Sequence, residues 1–171
     1  ARLGDDKGDD FYYDGTHGTS LVPKLEEDLR GGVRAVYSNN NAFCAIRKSD
    51  GHLFAWGRKP FGADCSNVKQ ELDGDISAIF TNLNDFCAIR KSDGHLFAWP
   101  NPDDSWSSLK QELDGDVTEI YSSYGAFSAI RKSDGHLFAW GNKRDGGDCS
   151  SVKQDLDGDI SAIYSNAFAF C

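Results

Sequence analysis

Methionine is absent from this 171-residue chain, proline occurs only four times, and the 18 Lys and Arg residues are outnumbered by 27 Asp and Glu. Each shortage excludes something. Translation starts on Met, so a sequence that opens on Ala1 and holds no Met reads as a processed product or a piece of a longer chain. A formal charge of −9 lacks the basic face that a phosphate backbone or an anionic lipid surface requires, which sets aside nucleic acid and membrane surfaces as partners. No stretch approaches 18 consecutive apolar residues, so no membrane span is expected, and no apolar core of a signal peptide opens the chain. No window sustains a 3.6-residue hydrophobic period, so helices should be scarce. The glycine loop of a phosphate cradle, followed by Lys and Ser or Thr, is missing, as is a Gly-x-Ser-x-Gly nucleophile turn. No cofactor is implied.

What the chain does have is repetition. The string AIRKSDGHLFAW occurs three times unchanged, at residues 45–56, 88–99 and 129–140. A second string follows each copy: KQELDGD at 69–75 and 110–116, then KQDLDGD at 153–159. Self-similarity at about 42 residues is the signature of stacked units. The organisation reads as an acidic N-terminal arm, 1–19, and one repeat domain, 20–171. The domain divides into a half unit, 20–41, three units, 42–84, 85–125 and 126–166, and the start of a further one, 167–171.

Within a unit, AFCAIRK and HLFAW are short apolar and aromatic runs separated by Ser-Asp-Gly, a strong hairpin signal because Gly accepts positive φ. A third run, DISAIFTN, alternates Ile76, Ala78 and Phe80 on one side. The weaker run SNVKQEL reads as a fourth strand or a short helical turn. One unit is therefore a small antiparallel sheet that cannot bury both faces alone, so neighbouring copies must stack. The fold class is all-β, a propeller-like stack of tandem blades, with a β-trefoil or β-prism as the alternative.

The unit resembles the repeat of the regulator of chromosome condensation family, a β-propeller blade. The resemblance rests on Ala45-Ile46, Asp50-Gly51, Leu53-Phe54, Trp56-Gly57 and Gly62, and in the third copy on Trp140-Gly141 and Gly146-Gly147. It covers about residues 20–171, nearly the whole chain. The family's blades are longer and close a ring of seven, and the second copy here breaks the motif with Pro100 after Trp99. The resemblance implies a propeller fold and a binding role. The family's founding member is a nucleotide exchange factor for a small GTPase, but no segment of this chain corresponds to that activity.

Candidate chemistry is sparse. His52, His95 and His136 follow Asp-Gly once per unit, one blade apart, which suits hairpin positions better than a shared metal ion. The Asp-Gly-Asp triplets lack the spacing and terminal Glu of a calcium loop. Carboxylate pairs recur in every unit, as turns do and active sites do not. An enzyme is therefore not expected. Trp56, Trp99 and Trp140 read as blade core. Trp106 lies in the connection that departs from the repeat, where an aromatic can anchor a partner. The arm offers a second anchor in Phe11, Tyr12 and Tyr13. Residues 1–32 hold 4 basic and 8 acidic residues, too polar a segment to fold alone.

The cysteines carry a pattern. One position holds Cys44, Cys87, Ser128 and Cys171; another holds Cys65, Trp106 and Cys149. Pairing across neighbouring units predicts disulfides Cys65–Cys87 and Cys149–Cys171, with Trp106 and Ser128 jointly missing theirs and Cys44 unpaired. Pairing inside one unit leaves two half-pairs. Each bond would contribute roughly 3 kcal/mol in the chain-entropy model and would place the protein in an oxidising compartment, secreted or in an organelle lumen such as that of the thylakoid. Two functions fit: a secreted or lumenal protein-interaction module, or an accessory subunit of a large organellar membrane assembly such as a photosynthetic complex. The expected partner is a protein or a larger complex, with self-association through open blade ends as a further expectation.

Overall fold

The computed structural model describes residues 29–100, 105–117, 119–152, 155–156, 158 and 160–171. The arm aromatics Phe11, Tyr12 and Tyr13 lie outside the described residues. Three antiparallel sheets of three strands follow one another along the chain. The first holds β1 (Val33–Ser38), β2 (Ala42–Arg47) and β3 (Leu53–Gly57). The second holds β4 (Ile76–Thr81), β5 (Phe86–Arg90) and β6 (Leu96–Trp99). The third holds β7 (Ile120–Ser122), β8 (Ala126–Ile130) and β9 (Leu137–Gly141). The run DISAIFTN therefore opens the next sheet rather than finishing its own unit. The cause is its connection: a helix separates it from the preceding HLFAW strand, whereas only a tight turn separates it from the strand that follows.

The run SNVKQEL is helical, as α1 (Ser66–Leu72), and its counterpart is α2 (Ser105–Leu113). Asp64 holds the first turn of α1 by accepting from the Ser66 backbone N–H at 3.0 Å, and Val68 and Leu72, four residues apart, are its buried face. No described helix is long and apolar enough to cross a membrane.

Strand alternation assigns each side chain to one of two interfaces. Ala42, Cys44 and Ile46 of β2 meet Phe86 and Ala88 of β5 and Trp99 of β6 across the first slot, which α1 closes with Val68 and Leu72. Cys87 and Ile89, the alternate residues of β5, meet Phe127 and Ala129 of β8 and Trp140 of β9 across the second slot. A third slot follows the third sheet. There Tyr164 and Cys171 exchange backbone hydrogen bonds of 2.7 and 2.8 Å, starting a further hairpin.

The stack is tied at two levels. Backbone bonds run from sheet to sheet at one repeat position, from Asn40 N–H to Leu83 O, from Leu83 N–H to Tyr124 O, and from Tyr124 N–H to Ala167 O. At the other end, the Ser-Asp-Gly turn of one sheet presses on the Asp-Gly-Asp turn that enters the next. Gly51 and Gly74 both take positive φ, and a Cβ on Gly51 would lie 2.8 Å from the Gly74 Cα. Both turns need glycine for the same contact, which explains why Asp-Gly recurs in both strings.

All five cysteines are free, which corrects the expected Cys65–Cys87 and Cys149–Cys171 bonds. Cys65 belongs to the first slot and Cys87 to the second. They lie on opposite faces of the second sheet, because the strand residue that points back to Cys65 is Phe86 or Ala88, not Cys87. In the third slot Phe170 packs against Gly146, and its strand neighbour Cys171 is exposed. Cys65 instead shares its cluster with Cys44 of the same unit. Burial, with Cys65 close by, pushes the Cys44 thiol far up. The oxidising compartment loses the argument that rested on those bonds.

Candidate functional site

The three His-Asp clusters are the most regular chemistry in the molecule. His52 Nδ1 lies 3.1 Å from Asp50 and its Nε2 3.4 Å from Asp73; His95 lies 2.9 Å from both Asp93 and Asp114. Arg47 clamps Asp50 from the other side, Nε to Oδ1 at 2.8 Å, and this guanidinium bond holds the Asp50 carboxyl far below the usual carboxylate range. Arg90–Asp93 and Arg131–Asp134 repeat the arrangement. Each cluster ties a hairpin turn, and in the first two units the histidine also reaches the turn entering the next sheet. Among the described residues no group of three or more His, Cys, Asp or Glu side chains is placed to hold a metal ion.

The site that stands out is the place where repetition fails. In the first unit eight residues, 57–64, separate the last strand's Trp56 from Cys65; in the third unit eight residues, 141–148, separate Trp140 from Cys149. In the second unit only six, 100–105, separate Trp99 from Trp106. The first connection carries the 3-10 turn Lys59–Phe61, and the third carries its counterpart Lys143–Asp145. Each is held to its own sheet by hydrogen bonds at equivalent positions: Arg58 N–H donates to Asn41 O and Asn142 N–H to Gly125 O, while Asn39 Nδ2 donates to Phe61 O at 2.8 Å and Ser123 Oγ to Asp145 O at 2.6 Å. The first connection also receives a bond from the next sheet, Trp99 Nε1 to Gly62 O at 3.1 Å.

None of these bonds has a described counterpart in the second slot. Asn82 stands where Asn39 and Ser123 stand, and its Nδ2 turns to Asp85 Oδ2 at 3.1 Å. Trp140 stands where Trp99 stands; it is 5% exposed, and its indole N–H has no hydrogen-bond partner among the described residues. A buried donor left in that state costs about 1–3 kcal/mol. Asp85 itself replaces Ala42 and Ala126, Pro100 replaces Gly57 and Gly141, and Trp106 replaces Cys65 and Cys149. Departures scattered through the sequence thus meet in one place.

What they surround is a cavity of about 510 Å³. It runs from Pro60 and Phe61 of the first connection to Asn142 and Asp145 of the third, over Trp99, Trp106, Phe127 and Trp140. The aromatic floor is closely packed. Trp106 and Trp140 lie 5.6 Å apart at 48°, and Phe127 stacks on Trp140 at 5.7 Å. Two carboxyl groups, Asp85 and Asp145, complete the lining, and no cation is among the described lining residues. Burial pushes the Asp85 carboxyl up, with the Asn82 bond opposing it. Trp106, expected in an irregular loop, is in the first turn of α2 and 8% exposed. Its side chain shares a helix face with Leu109 and Leu113, which draws it into the slot. The sequence singled out Trp106 and Pro100; it gave no reason to pick Asp85, Asp145 or the Trp140 indole nitrogen. Comparing the copies position by position would have found Asp85, since only that copy places a carboxyl there.

Of the three repeat tryptophans, Trp99 and Trp140 are buried and Trp56 is partly exposed, stacked on Phe43 at 5.6 Å. A second cavity, about 500 Å³, lies in the third slot beside Cys149, Val152 and Phe170.

No family profile matches the chain, and no curated protein matches it. Solved structures do. The CRINKLY WD40 ectodomain of the Arabidopsis thaliana receptor kinase ACR4 superposes with a TM-score of 0.54 at 12% identity, over 83% of this chain and 46% of that one. The entire ectodomain of the Physcomitrella patens receptor kinase CR4 superposes with a TM-score of 0.51 at 13% identity, over 80% of this chain and 34% of that one. At such identities the likeness shows the fold: an all-β, propeller-type stack of antiparallel blades. The chain spans less than half the length of each of these two structures.

Proposed function

We propose that this chain is a non-catalytic protein-interaction module that engages its partner at the cavity of the second slot. The observation that carries this reading is the convergence there of Trp106, Asp85 and Trp140, whose indole N–H has no partner among the described residues, in the unit whose connection is two residues shorter. Shared residues specify the blade; what distinguishes this molecule is where the copies differ. A cavity floored by aromatics with a few polar groups is the ordinary form of a recognition site. The propeller fold supports the reading, since it presents connections on a rigid frame. It also agrees with the resemblance of the repeat to that of the chromosome condensation regulator family. The similar solved structures are receptor ectodomains, which favours recognition outside the cytoplasm.

The test is co-purification of the native protein beside a Trp106→Ala variant. The expected result is a stoichiometric protein partner with the wild type and its loss with the variant, circular dichroism being unchanged. Recovery within a membrane assembly would make the chain an accessory subunit. Undiminished association of the folded variant would remove the second slot from the account.

A further inference from the structure

We draw no further inference here: the strongest candidate, the cavity of about 500 Å³ in the third slot between Ser128, Cys149 and Phe170, is walled by a segment of which residues 153, 154, 157 and 159 lie outside the described residues, and nothing in the structure shows what covers it.

Discussion

The first and second slots are built from the same strings and end in different states. Both stack a phenylalanine on a tryptophan between sheets, Phe86 on Trp99 at 5.2 Å and Phe127 on Trp140 at 5.7 Å. Both have a helix closing them with a fully buried leucine, Leu72 or Leu113. They part company around the connection, which is two residues shorter in the second slot, and at Asp85 and Trp106: the Trp99 indole bonds to Gly62 O, whereas the Trp140 indole has no partner among the described residues. The lesson is that a tandem repeat separates its two tasks in space. The shared layer makes the stack, and the departures from it gather around one connection, where the proposed site lies.

If the shared layer is as equal as it looks, Leu72→Ala and Leu113→Ala should each cost about 3 kcal/mol in urea unfolding, the range for a fully buried leucine. Unequal costs beyond the scatter would mean that the second slot is loose throughout rather than open at one end. The tryptophans should then diverge. Trp99→Phe strands the Gly62 carbonyl and should cost roughly 2 kcal/mol, whereas Trp140→Phe deletes an unsatisfied donor and should cost under about 1 kcal/mol. Equal losses would break the comparison.

Asp85→Asn sharpens it further. Burial raises the Asp85 carboxyl above its ordinary value in the folded state. The wild type's stability is therefore relatively greater when this group is protonated, and it is lost as pH rises through the raised folded-state value. The variant keeps an acceptor for Asn82 and removes the charge. It should be more stable than wild type by about 1 kcal/mol at pH 7 and no more stable at pH 3. A gain of the same size at both pH values would contradict the burial argument.

The smallest effect concerns what the slots share. Asp50, Asp93 and Asp134 are held below the usual carboxylate range, the bonded arginine being the largest cause in each case. Their contribution is present above the unfolded-state value of about 4 and is lost as pH falls below it. All three clamps are exposed, so Asp50→Asn and Asp93→Asn should shift the melting midpoint only slightly. They should do so equally, and only above that pH.

Much of the fold was legible because it is local. Asp-Gly between aromatic runs gives the hairpins, and the exact recurrence of AIRKSDGHLFAW gives the stacking. Which residues share a slot was not legible, because that depends on how the unit divides between sheets. DISAIFT joins the following hairpin, so a whole sheet stands between Cys65 and the side chain of Cys87. Joint presence of two cysteines in the sequence does not make them neighbours, because β5 sends alternate side chains into different slots. The site was half legible. Trp106 and Pro100 announce themselves as departures, but an indole nitrogen without an acceptor is visible only beside its bonded twin.

The most direct test of that difference is the exchange of the Trp99 and Trp140 indole protons with solvent deuterium in the unliganded protein, read by ¹⁵N-resolved NMR. The account predicts that Trp99, hydrogen-bonded to Gly62 in the closed first slot, exchanges at least about tenfold more slowly than Trp140 at the floor of the open second slot. Equal protection of the two protons would show that the second slot is closed like the first, and would contradict the central claim.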